Sequence, residues 1–271
     1  MEALKAHAVI SRTQIAYRQR YWKPHGRIYQ LCDGQHCQVY RGVKAESERS
    51  NEAVGQTRGM LLYYKDSPAQ SLYHSTCGGM TQDTREITGW GGHAYLRGVL
   101  DGDSALLSAP KSPWEIRRWI KGFPPAYCRD PDYASFSEFR WARIVPYGDL
   151  QQRLDRRYRI GKLRSILPVR RSRSGNVNEL LILGSKRRVT IRKEHLIRSY
   201  LGHLRSTLFL LEVHLDLEGH VAEYWIYGGG WGHAVGLCQT GAAALAGKHG
   251  RDFKEILSHY YPGAWVRRIS Y

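Results

Sequence analysis

The sequence predicts an α+β fold in which helices are mixed with an antiparallel β-sheet or a barrel-like subdomain. Three observations carry that expectation. Apolar residues recur at helical spacing near the N-terminus, short β-type runs alternate with turn signals between residues 160 and 227, and an Ala-rich segment followed by a capping signature closes the chain. A length of 271 residues suits one large domain or two small ones. Hydrophobic residues at 42% and charged residues at 24% exclude wholesale disorder, and no run of about 18 apolar residues is present to span a membrane.

The elements follow in order. Leu4, Ala8 and Ile15 form one stripe of a first helix, with Lys5, Arg12 and Gln19 able to face water, and the helix is expected to stop before Lys23-Pro24. Lys44–Asn51 reads as loop or frayed helix. Met60–Tyr64 and Gln70–Ser75 read as a hairpin around Lys65–Ala69. Pro110–Trp119 and Ser135–Trp141 carry aromatic residues in helical or irregular settings. Ile166–Val169, Leu180–Leu183 and Val189–Ile191 are short strands, and Leu208–Leu217 pairs with His220–Tyr227 around Glu218-Gly219. Residues 142–227 are expected to form a basic, strand-rich subdomain. A glycine loop leads into a helix near Thr240–Lys248, and Asp252 with Glu255 forms a capping box for a last helix that Tyr261-Pro262-Gly263 ends.

Charge is concentrated. The formal net charge is +17, and residues 156–198 hold 14 Lys+Arg against Glu179 and Glu194. Two readings compete for that stretch, a solvated sheet face and a surface for an anionic polymer. Met1–Arg20 has no secretory signal pattern. Five cysteines cannot all pair within the chain, and their scatter is not that of a disulfide scaffold.

Four clusters could carry chemistry. His25, Cys32, His36 and Cys37 supply two imidazoles and two thiols around an Asp33-Gly34 turn, the ligand set of a tetrahedral structural zinc site; a pair of buried thiols or a local disulfide is the competing reading. Glu2 heads the first helix, where the positive end of the helix dipole favours its carboxylate. Tyr73–Gly79 offers an imidazole, two hydroxyls, a thiol and two glycines, read as a binding loop or as a tight turn. Gly228–Gly236, followed by Gln239 and Gly241, has no Lys-Ser/Thr and so is not a phosphate-cradling loop. Binding loop and structural loop remain open for it.

Several of these segments together, in order, resemble the SpoIID/LytB family, the sporulation stage II protein D and amidase-enhancer domains. They are Glu2–Thr13, Cys32 with His36-Cys37-Gln38-Val39-Tyr40, His74–Gly79 with Thr81, and Gly230–Gly236 with Gln239 and Gly241-Ala242. The resemblance runs to Tyr260–Gly263. It implies a lytic transglycosylase that cuts MurNAc–GlcNAc glycan strands of peptidoglycan lacking stem peptides, with Glu2 as general acid and base. The alternative in the same family is a non-catalytic wall-binding amidase enhancer. His25, Cys32, His36 and Cys37 would hold a structural Zn2+, with no organic cofactor. Tyr40, His74, Ser75, Thr76, Trp231, His233 and Gln239 would bind glycan. The implied partners are glycan strands and an N-acetylmuramoyl-L-alanine amidase rather than nucleic acid, in an extracytoplasmic setting. Family members carry a segment and a signal or anchor upstream of the glutamate, so the resemblance also implies that a natural N-terminal segment is missing here. Two positions depart from the pattern: Ala234 stands where glycine is usual, and Cys238, expected near Cys77, stands where a small hydroxyl residue is common.

Overall fold

The computed structural model describes residues 1–21, 31–34 and 37–269. Helix α1 (Glu2–Tyr21) buries Ala6, Val9, Ile10, Thr13 and Gln14, a stripe at the i, i+3, i+4, i+7, i+8 positions. The Leu4–Ala8–Ile15 stripe expected from sequence is not the core face: Leu4 and Ile15 are exposed. Small Ala6 lets neighbouring elements approach, and the polar members of the buried stripe are satisfied there. Thr13 Oγ1 donates to Val9 O at 2.6 Å and accepts the Leu62 N–H at 2.8 Å; Gln14 Oε1 accepts the Ser71 N–H at 3.0 Å. Arg12 does not face water either, since its guanidinium donates to the carbonyls of Thr57 and Met60 at 2.9 Å each.

A 3-10 turn (Val43–Ala45) and α2 (Glu48–Gln56) follow, the helix capped by Ser47. Strand β1 (Met60–Tyr64) turns at Lys65-Asp66 into β2 (Ser67–Pro68). The hairpin is thus tighter than the sequence suggests, because Lys65 takes a left-handed conformation (φ 55°) that closes it in two residues. Residues 70–75 are released from it, and β3 (Tyr73–His74) within them pairs elsewhere. Helices α3 (Pro113–Lys121) and α4 (Phe136–Phe139) precede β4 (Arg140–Pro146), and α5 (Tyr147–Tyr158) leads to β5 (Leu163–Arg171), β6 (Val177–Gly184) and β7 (Arg188–Ile191). Then come α6 (Glu194–Tyr200), β8 (Phe209–Leu215), β9 (Val221–Gly229), β10 (Leu237–Cys238), α7 (Gln239–Gly247), α8 (Phe253–Tyr260) and β11 (Trp265–Arg268).

Among the described residues the strands form four small sheets, β11-β1-β2, β10-β3, β4-β9-β8 and β5-β6-β7. The fold is α+β, its sheets antiparallel apart from the parallel β10-β3 pair, and the barrel-like alternative falls away because no sheet closes on itself. Two apolar clusters fill the interior. One joins α1, β1, α7 and α8 around Leu62, Leu96, Tyr260 and Tyr261; the other packs α5 and α6 on the sheets between Val145 and Ile226. No helix among the described residues is long and apolar enough to cross a membrane.

Candidate functional site

The site is built where two distant segments are stitched together. β3 pairs in parallel with β10, His74 opposite Cys238, and the chain then exchanges backbone hydrogen bonds between Thr76 and Trp231 at 3.1 and 2.7 Å. This stitching needs glycine: a Cβ on Gly230 (φ 77°) would lie 2.6 Å from the Thr76 carbonyl, and one on Gly232 (φ 113°) 2.8 Å from His74 Cβ. The result is a cleft of about 450 Å³ whose walls include His74, Ser75, Trp231, His233 and Gln239 from the expected set.

Hydrogen bonding fixes what each ring offers. His74 Nδ1 lies 3.1 Å from the Val235 carbonyl, so it carries the proton, and the buried ring also meets the Cys238 side chain. The Val235 N–H donates at 3.0 Å to His233 Nδ1, so the His233 proton sits on Nε2. Burial, then the charges of His74 and Arg198, push the His233 pKa down to about 3. Gln239 Nε2 donates to His7 Nε2 at 2.9 Å, and burial pushes the His7 pKa down to about 4. Both rings are therefore neutral near pH 7. Trp90 lies 5.3 Å from the His233 ring, and Trp231, 42% exposed, carries Arg205 over its face at 4.8 Å.

Other expected residues fall elsewhere. Thr76 is buried behind the cleft with its hydroxyl 3.2 Å from that of Thr240. Tyr40, 69% exposed, lines an adjoining apolar groove beside Leu4, Ile15 and the two thiols, of which Cys37 also lines the cleft. Cys32 and Cys37 are half-buried on one turn, and Cys37 Sγ accepts from the Cys32 N–H and from Arg18 Nη1, each at 3.2 Å. His25 and His36 lie outside the described residues. Glu2 turns toward the start of α8: Oε1 accepts from Lys5 Nζ at 2.7 Å and Oε2 from the Phe253 N–H at 3.0 Å. Burial alone would raise its pKa, but the hydrogen bonds to Lys5 and Phe253 and the Lys5 charge outweigh it and hold the carboxyl below its ordinary value.

Gln14, Arg18, Trp90, Glu194 and Arg198 also line the cleft and were not expected there. Glu194 is the acid among those walls, ion-paired with Arg198 at 2.9 Å. Nothing in its local sequence marks it, because it sits inside the most basic stretch of the chain and reaches the cleft only through the packing of α6.

A profile described as Stage II sporulation protein matches residues 1–64, and one described as a domain of unknown function (DUF8618) matches residues 88–236. The amidase enhancer of Bacillus subtilis (strain 168) is 26% identical over 97% of this chain. Stage II sporulation protein D of the same organism is 24% identical over 98%, and that of Bacillus amyloliquefaciens 26% over 97%. The chain spans 37% of the length of the amidase enhancer and about two thirds of the two sporulation proteins. The chain belongs to the family described as a domain of unknown function (DUF8618), which spans more than half of it, and its end-to-end similarity to the amidase enhancer and the sporulation proteins supports the SpoIID/LytB family.

Proposed function

We propose that this chain binds the glycan strands of peptidoglycan, outside the cytoplasm, in the manner of a non-catalytic amidase enhancer that assists an N-acetylmuramoyl-L-alanine amidase at the wall. The observation that carries this reading is the convergence of His74, an uncharged His233 and Gln239 with Trp90 and Trp231 in one cleft. Neutral sugars are bound by donors and acceptors in fixed tautomers and by flat apolar faces, and this cleft offers both. Zinc on His25, Cys32, His36 and Cys37 belongs to the same reading as a structural element. The two N–H···S contacts to Cys37 suit a thiolate ligand, and a bound ion would hold the turn that carries Gln38, whose amide donates to Ser11 O at 2.8 Å and so reaches α1.

The second reading is lytic transglycosylation. Its support is the sporulation profile over the helix that starts with Glu2. In that chemistry Glu2 protonates the bridging oxygen, the C6 hydroxyl of MurNAc attacks its own anomeric carbon, and the carboxylate takes the hydroxyl proton to leave a 1,6-anhydro end. The geometry of Glu2 weighs against it, since an acid must first be protonated and freed from Lys5 and Phe253. Incubation with denuded strands and mass spectrometry separates the readings. Binding predicts intact strands that co-sediment with wild type and Glu2→Gln alike. Anhydro-ended products that vanish in Glu2→Gln would replace the binding reading with the enzymatic one.

A further inference from the structure

Three of the five cysteines play no part in the cleft, and the fold brings them to one point. Cys77 follows β3, Cys128 lies in the 3-10 turn Tyr127–Arg129, Cys238 ends β10, and Asp101 comes from the loop between β3 and α3. All four side chains are essentially inaccessible to solvent. Their three sulfurs and one carboxylate oxygen lie within 4.8 Å of one another, with Cys77 Sγ 3.6 Å from Cys128 Sγ.

We propose that Cys77, Asp101, Cys128 and Cys238 hold a buried structural zinc ion. The spacing fits: zinc–sulfur bonds of about 2.3 Å in a tetrahedron put neighbouring sulfurs about 3.8 Å apart. A disulfide between Cys77 and Cys128 would use two of the four groups and leave Cys238 and Asp101 unexplained. Charge points the same way. The donors that meet the Asp101 carboxylate are neutral, among them the Tyr260 hydroxyl at 2.5 Å and the Cys128 N–H at 3.0 Å, so a buried negative charge there calls for a cation. Arg140, 5% exposed, is the complementary case. Its guanidinium spends its hydrogen bonds on the carbonyls of Gly78, Trp119, Gly122 and Phe139, and its buried charge lies beside the same cluster. On binding, the three thiols release three protons and donate as thiolates beside the carboxylate. The resulting doubly negative centre is then half offset by Arg140.

Gly241 has the same logic. A Cβ there would collide with Asp101 Oδ1 and the Tyr260 hydroxyl, so the helix can approach the carboxylate only as glycine. With four protein ligands and no open position the ion would be structural. It would tie β3, β10, the Asp101 loop and the Cys128 turn together directly behind the cleft.

The test uses the full chain with Cys32→Ser and Cys37→Ser, which removes the other thiol pair. After dialysis against excess zinc and then metal-free buffer, about one equivalent of zinc is expected by elemental mass spectrometry. Cobalt in its place should give tetrahedral visible bands and charge-transfer absorption of three-thiolate intensity. Adding Cys128→Ser should abolish binding, and Asp101→Asn should weaken it by roughly 10- to 100-fold while leaving the three-thiolate absorption. Because the cobalt spectrum is read on a chain whose four-residue cluster is intact, it decides the question even if Cys128→Ser fails to fold. No metal in the Cys32→Ser/Cys37→Ser chain, or a Cys77–Cys128 disulfide in its non-reduced digest, would overturn the proposal. Neither result bears on glycan binding.

Discussion

At the scale of the residue, the cleft and the groove beside it depend on histidines kept uncharged. The pKa of His7 is pushed down to about 4 and that of His233 to about 3, each chiefly by burial, against an ordinary value of about 6.5 in an unfolded chain. Between those limits the unfolded state binds protons that the folded state refuses, so stability falls as pH drops from about 6.5 toward 4 and 3. At pH 5 each ring should cost roughly 1–2 kcal/mol. His233→Asn keeps an acceptor for the Val235 N–H and removes the titrating ring. Urea unfolding at pH 7 and pH 5 should show the wild-type difference shrink by roughly 1–2 kcal/mol in that variant. An undiminished difference would mean that His233 titrates normally. Ala234 beside it shows how a departure from the family pattern becomes physical: with φ 57° it occupies the left-handed region where glycine is at ease. Cys238, by contrast, is a departure whose meaning lay in distant partners. Its nearness to Cys77, whose N–H it accepts at 3.3 Å, was an expectation from the resemblance; Cys128 and Asp101 are separated from it by more than a hundred residues, and no local spacing announces them.

At the scale of the element, local chemistry decides ends more firmly than faces. The Asp252–Glu255 capping box forms as written, and Asp252 Oδ1 accepts the Lys254 and Glu255 N–H groups at 2.8 Å each. The strand pair β8-β9 and the end of α1 before Lys23-Pro24 were likewise legible, because turn residues and proline act through their own backbones. Which face of α1 is buried was not legible. Thr13 and Gln14 look polar in sequence and become interior only through partners on β1 and the segment before β3. One element end carries strain that a substitution can relieve. Arg159 ends α5 in the left-handed conformation, φ 51° and ψ 49°, with its side chain exposed. Arg159→Gly should stabilise the fold by roughly 0.5–1 kcal/mol, raising the thermal midpoint by about 2 °C. A midpoint that falls would show that the Arg159 side chain contributes more than its backbone costs.

At the scale of the whole molecule, positive charge and the cleft are separate devices. Of the 14 cations in residues 156–198, Arg170, Arg171, Arg192 and Arg198 are committed: Arg170 to Glu179 and the Glu86 carbonyl, Arg171 to the carbonyls of Gly175 and Phe209, Arg192 to Glu179 and Arg198 to Glu194. Most of the others are exposed along α5 and the β5-β6-β7 sheet, including Lys186, Arg187 and Arg188 at the β6–β7 turn. A surface of this kind suits long-range attraction to an anionic wall polymer, whereas the neutral rings of the cleft suit the sugar itself. The two contributions should therefore come apart by experiment. Reversing Lys186, Arg187 and Arg188 to Glu should weaken retention on anionic sacculi by roughly tenfold at low salt, since each exposed charge contributes roughly 0.5 kcal/mol. The difference should vanish near 1 M salt, where the screening length is only about 3 Å. Binding to denuded, uncharged strands should be unchanged in the same variant, measured by the same co-sedimentation. Equal loss on charged and uncharged material would mean that the basic sheet contacts glycan directly, and the division of labour between sheet and cleft would be wrong.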